Sequence, residues 1–357
     1  MTHIVVITGA SAGVGRATAN EFARHGCNVV LLARNAARLA SAARECRAYG
    51  VQALTIPTDV ADAAAVEAAA SRIEKEFGPI DIWVNVAMAT VFAPLADLSA
   101  EEFKRGTDVT YLGQVHGTMS ALKRMRQRDR GVIINVGSAL AYRAIPLQSV
   151  YCGAKFAVRG FTDSLRSEIL HDHLKVHLCM VDLPAMNTPQ FDWSLNKTGR
   201  KAQPVAPIFQ PEVGARAIYF AAFHRRRNVW VGFPTIRAIL ADRIVPGLLD
   251  RYLAKAGYRG QLTQEPSPAS APANLFHSVA GPYDAHGRFD AQSKRISWEM
   301  VTDRHRTLFW SVAGAALLIG MHFLARRSPH PRNVAAGLPR TPGRNLRSLP
   351  ARGSRRF

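Results

Sequence analysis

The chain has 357 residues, 48% of them hydrophobic, which supplies ample material for one large packed domain with an appendage. Its four cysteines, Cys27, Cys46, Cys152 and Cys179, are scattered without a CxxC spacing, which excludes a disulfide scaffold and a zinc site. Of the net charge of +20, nine charges are arginines within residues 326–357, which hold no Asp or Glu, so the basicity argues for no nucleic-acid role of the fold itself.

Residues 3–8 are a β-branched run that leads directly into Gly9. They lack the basic and long apolar regions of a signal peptide, so they read as a first strand in a reducing, cytoplasmic protein. Gly9, Gly13 and Gly15 of TGASAGVG then lead into a helix over 17–24. Glycine lets such a turn approach a pyrophosphate closely, and the helix start offers amides and a positive dipole to the phosphates. Residues 28–33 read as a second parallel strand, buried on both faces. It ends at Arg34, where an NAD-preferring protein places an acid against the ribose 2′-hydroxyl. A guanidinium there, with Arg38 one turn on and Ser11 and Arg16 close by, suits a 2′-phosphate. NADP(H) is therefore favoured over NAD(H). The plainer alternative for Arg34 is a solvated loop residue.

Helices over 36–49 and 63–77 alternate with strands over 53–56 and 80–85, and a long helix follows over 101–126. His116 on that helix reads as a packing residue. The stretch that organises the rest is 132–169, a short buried strand ending near Ser138, a loop, and an amphipathic helix from Ser149. Tyr151 and Lys155 are four apart, on one helix face and one turn from each other. An ammonium there is expected to lower the phenol's pKa from its ordinary ~10, so that Tyr151 can exchange a proton near neutral pH. Ser138 is placed to bond the same substrate oxygen.

With TGxxxGxG ahead of a Ser and a Tyr-x-x-x-Lys, residues 1–257 resemble a short-chain dehydrogenase/reductase. The resemblance implies a doubly wound α/β domain, a parallel Rossmann sheet with helices on both faces, and usually a homodimer. It implies Tyr151 as general acid and base, Lys155 as its partner and as a ribose ligand, and Ser138 as the group that steadies the alkoxide. Gly9, Ser11, Gly13, Val14, Gly15, Arg34, Asp59, Val60, Asn85, Ala87, Pro184 and Thr188 fall at cofactor positions. Three elements depart from the family pattern. Asn-Asn-Ala-Gly is here Asn85-Val86-Ala87-Met88. The helix asparagine that holds a relay water is Thr110. Pro-Gly-x-x-x-Thr is Pro184-Ala185-Met186-Asn187-Thr188.

Residues 188–212 are expected to form a lid whose Phe191, Trp193, Leu195, Ile208 and Phe209 wall the substrate pocket. A helix over 211–223, a strand over 228–233 and a helix over 236–253, interrupted at Pro246-Gly247, complete the domain. Residues 258–295 are rich in Gly, Pro, Ser, Ala and Gln and read as an extended, poorly packed linker. Residues 308–325 are free of formal charge and long enough, at ~1.5 Å per residue, to approach a bilayer's thickness. The segment 296–325 is accordingly expected to form a membrane-embedded helix, with 326–357 an unstructured basic tail. The functional expectation is NADP(H)-dependent interconversion of a lipophilic carbonyl compound and its secondary alcohol. The rival is a catalytically weak, nucleotide-sensing regulator on the same fold, to which the altered 85–88 element and Thr110 point.

Overall fold

The computed structural model describes residues 2–300 apart from 269, and the single positions 311, 314 and 321. Its centre is a sheet of β1 (Ile4–Thr8), β2 (Asn28–Ala33), β3 (Ala53–Pro57), β4 (Ile82–Asn85), β5 (Val132–Ser138), β6 (His177–Leu183) and β7 (Asn228–Trp230). All seven strands pair in parallel, in the order β3-β2-β1-β4-β5-β6-β7. Strands rich in Val, Ile and Leu on both faces suit this position, because helices cover the sheet on either side. On one side α1 (Gly13–Arg24), α2 (Ala36–Arg47) and α7 (Pro211–Phe223) enclose a core that includes Val5, Phe22 and Leu39. On the other, α3 (Ala63–Glu76), α5 (Gly113–Arg128) and α6 (Ser149–His171) enclose one that includes Val6, Trp83 and Ile133. This is the doubly wound Rossmann arrangement. The strand order reverses between β1 and β4, so the crevice for a ligand opens above their carboxyl ends.

Local chemistry sets the helix ends. Asn35 and Asp62 cap α2 and α3 by accepting bonds from the amides of Arg38 and Ala65. Ser99 and Glu102 form a reciprocal capping box on α4 (Ala100–Thr107). The first helix begins at Gly13, earlier than its sequence predicts, because two glycines of poor helix propensity make its first turn. The long helix predicted over 101–126 is α4 and α5 joined by a π-helical turn at Asp108–Leu112. Pro246 opens a new helix, so the predicted interruption separates α8 (Phe233–Ile244) from α9 (Pro246–Gln261).

Residues 258–295 do not stand off the domain as a loose linker. Leu262–Pro266 pairs antiparallel with Arg200–Ala202. Leu275, Val279 and Phe289 are buried against the domain at 1%, 8% and 6% exposure. Three anchors spaced so widely leave no periodic signature, which is why the composition reads as a linker. The apolar segment and the basic tail lie outside the described residues, apart from the three single positions. Among the described residues no helix is long and apolar enough to cross a membrane.

Beneath the crevice, Glu67 of α3 ties to Arg124, Lys123 and Ser120 of α5 at 2.6–3.0 Å. The Arg124 bond foremost holds its carboxyl down to about 2, against an ordinary 4.5. A depressed carboxylate stabilises the fold above its unfolded value and loses that contribution as pH falls through its folded one. Thermal melts should therefore show Glu67→Gln less stable by about 1 kcal/mol at pH 6, the gap to wild type closing as pH falls toward 2. An equal gap at both ends of that titration would refute the assignment.

Candidate active site

The site begins where β1 ends. Thr8 Oγ1 accepts bonds from the amides of Val86 and Ala87 at 3.0 and 3.1 Å, which fixes the end of β4 beside the glycine turn. Gly9 takes φ +70° and Gly13 φ +56°, the left-handed region that glycine alone enters without strain. Gly15 has a different reason: a Cβ there would lie 2.3 Å from the Gly9 carbonyl oxygen. The result is a bare backbone cradle at the start of α1, in contact with Ala87 on one side and Thr188 on the other.

One cavity of about 520 Å³ runs from this cradle in two directions. At the end of β2 it is lined by Arg34, Asn35 and Arg38, with Asp59 and Val60 from the end of β3. Arg105 of α4 reaches Asp59 at 2.5 Å. The Arg34 guanidinium is already engaged, its Nη1 donating to the carbonyls of Leu275 and Phe276 at 3.3 and 2.8 Å and its Nη2 to that of Asn274. Arg38 differs. It is buried against the Trp193 ring and near that of Tyr283, and its Nε and Nη1 have no hydrogen-bond partner.

At the other end the cavity meets Ser138, Tyr151 and Lys155. Ser138 closes β5, its hydroxyl accepting from the Leu140 amide at 3.1 Å, and Tyr151 lies in the first turn of α6. Lys155 is 1% exposed, with Nζ 5.5 Å from the centre of the Tyr151 ring and donating to the Val136 carbonyl at 2.6 Å. The spacing of the pair predicts a phenol acidified by this neighbour. Instead, burial pushes Tyr151 well above its ordinary range, with only Ser138 opposing. Burial likewise pushes the Lys155 ammonium down to about 7, opposed by the charge of Asp182. Desolvation outweighs pairing here because Lys155 is almost wholly out of water and Tyr151 is partly so, with the ammonium 5.5 Å from the ring centre.

The short chain dehydrogenase profile matches residues 3–196. "Uncharacterized oxidoreductase YxnA" of Bacillus subtilis is 32% identical over 284 residues, 79% of this chain and 80% of that protein. This chain belongs to the short-chain dehydrogenase family. Two solved structures are similar. The alcohol dehydrogenase of the archaeon Thermococcus sibiricus, complexed with 5-hydroxy-NADP, has a TM-score of 0.55 at 26% identity, over 65% of this chain and 96% of that one. L-Sorbose reductase of Gluconobacter frateurii, complexed with NADPH and L-sorbose, has a TM-score of 0.57 at 25% identity, over 64% and 95%.

Of the positions at which a short-chain dehydrogenase meets its cofactor, Gly9, Ser11, Gly13, Val14, Gly15, Arg34, Asp59, Val60, Ala87, Pro184 and Thr188 line the cavity. Asn85 does not. It is wholly buried, donating to Asn135, Thr118 and the Gln114 carbonyl and accepting from Trp83, so it ties β4 to β5 and α5. Thr110 is also outside the cavity. Its hydroxyl donates to the Ala89 carbonyl at 2.7 Å and accepts from the Ala89 amide at 2.9 Å, so it clasps a loop. Arg16 turns away from the cleft to Glu45, Ser41 and the Tyr283 carbonyl. Of the expected lid walls, Phe191 and Trp193 line the cavity, whereas Ile208 and Phe209 are core.

Sequence reasoning misses Asp182. It sits on β6 directly across from Gly137, where a Cβ would meet its Oδ1 at 2.1 Å. Its Oδ2 accepts from Tyr142 at 2.9 Å, and its Oδ1 is buried without a partner. Burial pushes its carboxyl up to about 7, against the pull of Tyr142, Asn228 and the Lys155 charge. The signal is present in the sequence, since an acid near the end of an apolar strand at the crevice is costly unless it has work to do.

Proposed function

We propose that this short-chain dehydrogenase is an NADP(H)-dependent oxidoreductase that interconverts an apolar carbonyl compound and its secondary alcohol. The observation that carries the reading is a single cavity with the Ser138, Tyr151 and Lys155 cluster at one end and the glycine cradle with Arg34 and Arg38 at the other. The cradle fits a dinucleotide, since Gly9, Gly13 and Gly15 leave its backbone bare of side chains and it opens onto a helix N-terminus that favours phosphate. Arg34 and Arg38 would hold a 2′-phosphate, Lys155 and Tyr151 a ribose, and the Pro184–Thr188 segment the far ring. When bound, the dinucleotide supplies or accepts the hydride.

The chain's own residues handle the proton. Burial keeps Tyr151 protonated at neutral pH, so in reduction it acts as an acid toward the carbonyl oxygen. Ser138, on the same cavity wall as that phenol, steadies the developing alkoxide. The Lys155 ammonium, fixed on the Val136 carbonyl, stabilises the phenolate that remains, and Asp182 keeps that ammonium charged. Leu140, Ile145, Met186, Phe191 and Val205 line the substrate end, which favours a lipophilic compound over a sugar.

Absorbance-monitored NADPH oxidation with a panel of apolar ketones and aldehydes tests this reading. Turnover of at least one supports it. Tight nucleotide binding with no turnover favours the regulator reading, to which the occupied hydroxyl of Thr110 lends support. Asp182→Asn supplies a second check. Losing the carboxylate lowers the Lys155 pKa below about 7, so the fall in kcat with rising pH should move to lower pH. At pH values above both midpoints, the variant should be slower by about tenfold for every pH unit through which its profile has moved. An unmoved profile would remove Asp182 from the mechanism.

A further inference from the structure

Residues 274–290 run from the Arg34 end of the cleft, past the glycine cradle, to the Pro184–Thr188 segment. The carbonyls of Asn274, Leu275 and Phe276 take up Arg34, and that of Leu275 also accepts from Arg105 Nε at 3.1 Å. The Tyr283 carbonyl accepts from Arg16 at 3.1 Å, and the Asp284 carbonyl accepts from the Gly13 amide at 2.9 Å, at the cradle. At the Pro184–Thr188 segment, Phe289 N–H donates to Asn187 Oδ1 at 3.0 Å and Asn187 Nδ2 donates to Asp290 at 2.8 Å. His286 bridges Asp290 at 2.7 Å and Glu212 of α7 at 2.8 Å. Residues 274–290 lie so close to Thr188 that a Cβ on Gly287 would be 2.5 Å from its carbonyl oxygen.

The start of the segment borders the cavity and does not fill it. About 520 Å³ remain beside it, and its own Asn274 and Ser278 are part of the lining, together with Arg38 and Tyr151. The part of a nucleotide lying between Arg38 and the Gly13 cradle would therefore be held in by a span anchored at Arg34, at Gly13 and at Asn187. We propose that residues 274–290 are a retaining strap, which must lift before the nucleotide enters or leaves and so sets the rate of cofactor exchange. This rests on the cofactor reading above and adds the device that controls it. Nearly all its anchors are backbone groups or groups outside the proton-transfer cluster, so the strap can lift without disturbing Ser138, Tyr151 and Lys155.

The test uses the full chain loaded with NADPH and mixed rapidly with excess NADP+, following the loss of bound-nucleotide fluorescence. Gly287→Val forces the strap off the Thr188 carbonyl, and His286→Ala removes the bridge between Asp290 and Glu212. Each should speed NADPH release by about tenfold or more and quicken trypsin cleavage after Arg288. In the wild type, NADP+ should slow that cleavage. Faster cleavage with a release rate within about twofold of wild type would overturn the strap, as would wild-type cleavage that NADP+ leaves unchanged. If Gly287→Val does not fold, His286→Ala and the wild-type protection experiment still decide. A wild type that takes up no NADPH overturns the cofactor reading and the strap with it, an outcome distinct from binding with unaltered exchange.

Discussion

Tyr151→Phe is expected to lower kcat for carbonyl reduction by about 10³-fold while leaving NADPH affinity within about threefold. The substitution removes one oxygen and keeps the ring, so the packing of the first turn of α6 and the contact with Lys155 survive. What is lost is the phenol that lines the cavity at Ser138, and with it the acid that meets the substrate oxygen. Stability should change little, since the ring and its packing are kept and the loss of a single hydroxyl's hydrogen bond costs about 1 kcal/mol. A loss of less than about tenfold would place the proton donor elsewhere. The raised pKa adds an asymmetry to the same experiment. Reduction uses the protonated phenol, the form that burial favours, so Tyr151 itself should not limit it near neutrality. Oxidation needs the phenolate, so its rate should climb with pH across that range.

The direction of that pKa marks the point at which sequence ceases to be enough. The spacing of Tyr151 and Lys155 fixes a shared helix face, and the structure has both on α6 beside Ser138. Spacing does not say how much water reaches them, and a lysine at 1% exposure titrates according to its burial first. Glycine positions are legible for a similar reason in reverse. The need for a left-handed backbone at Gly9 and Gly13, and for no side chain at Gly15, is local and leaves its mark on composition. Asn85 and Thr110 fall at motif positions, yet their partners, Asn135 and Ala89, come from other parts of the chain, and those partners decide their roles. The strap is illegible because it is held largely through backbone carbonyls, which every sequence possesses.

Arg38→Leu is expected to lower kcat/KM for NADPH by about 10- to 100-fold and to leave that for NADH within about threefold. Two arginines flank the adenosine end, and the sequence offers no reason to prefer the second. The structure does, because both Nη atoms of Arg34 are bonded to carbonyls of the strap, whereas Nε and Nη1 of Arg38 are buried without partners. A buried donor left unpaired costs about 1–3 kcal/mol, and a hydrogen bond to a charged group returns about 1.5–3 kcal/mol. A 2′-phosphate that draws Arg38 into bonding thus gains from both effects, and NADH, which lacks that phosphate, gains from neither. The two effects of the substitution on stability nearly cancel. The variant forfeits the contacts of the guanidinium with Trp193 at 4.7 Å and Tyr283 at 5.8 Å, about 0.5–2 kcal/mol, but relieves the unpaired donors of a comparable cost. The melting temperature should therefore stay close to wild type while cofactor preference moves. Equal losses with NADPH and NADH would show instead that Arg38 serves the packing of Trp193 and Tyr283, and would return the choice between the two nucleotides to Arg34.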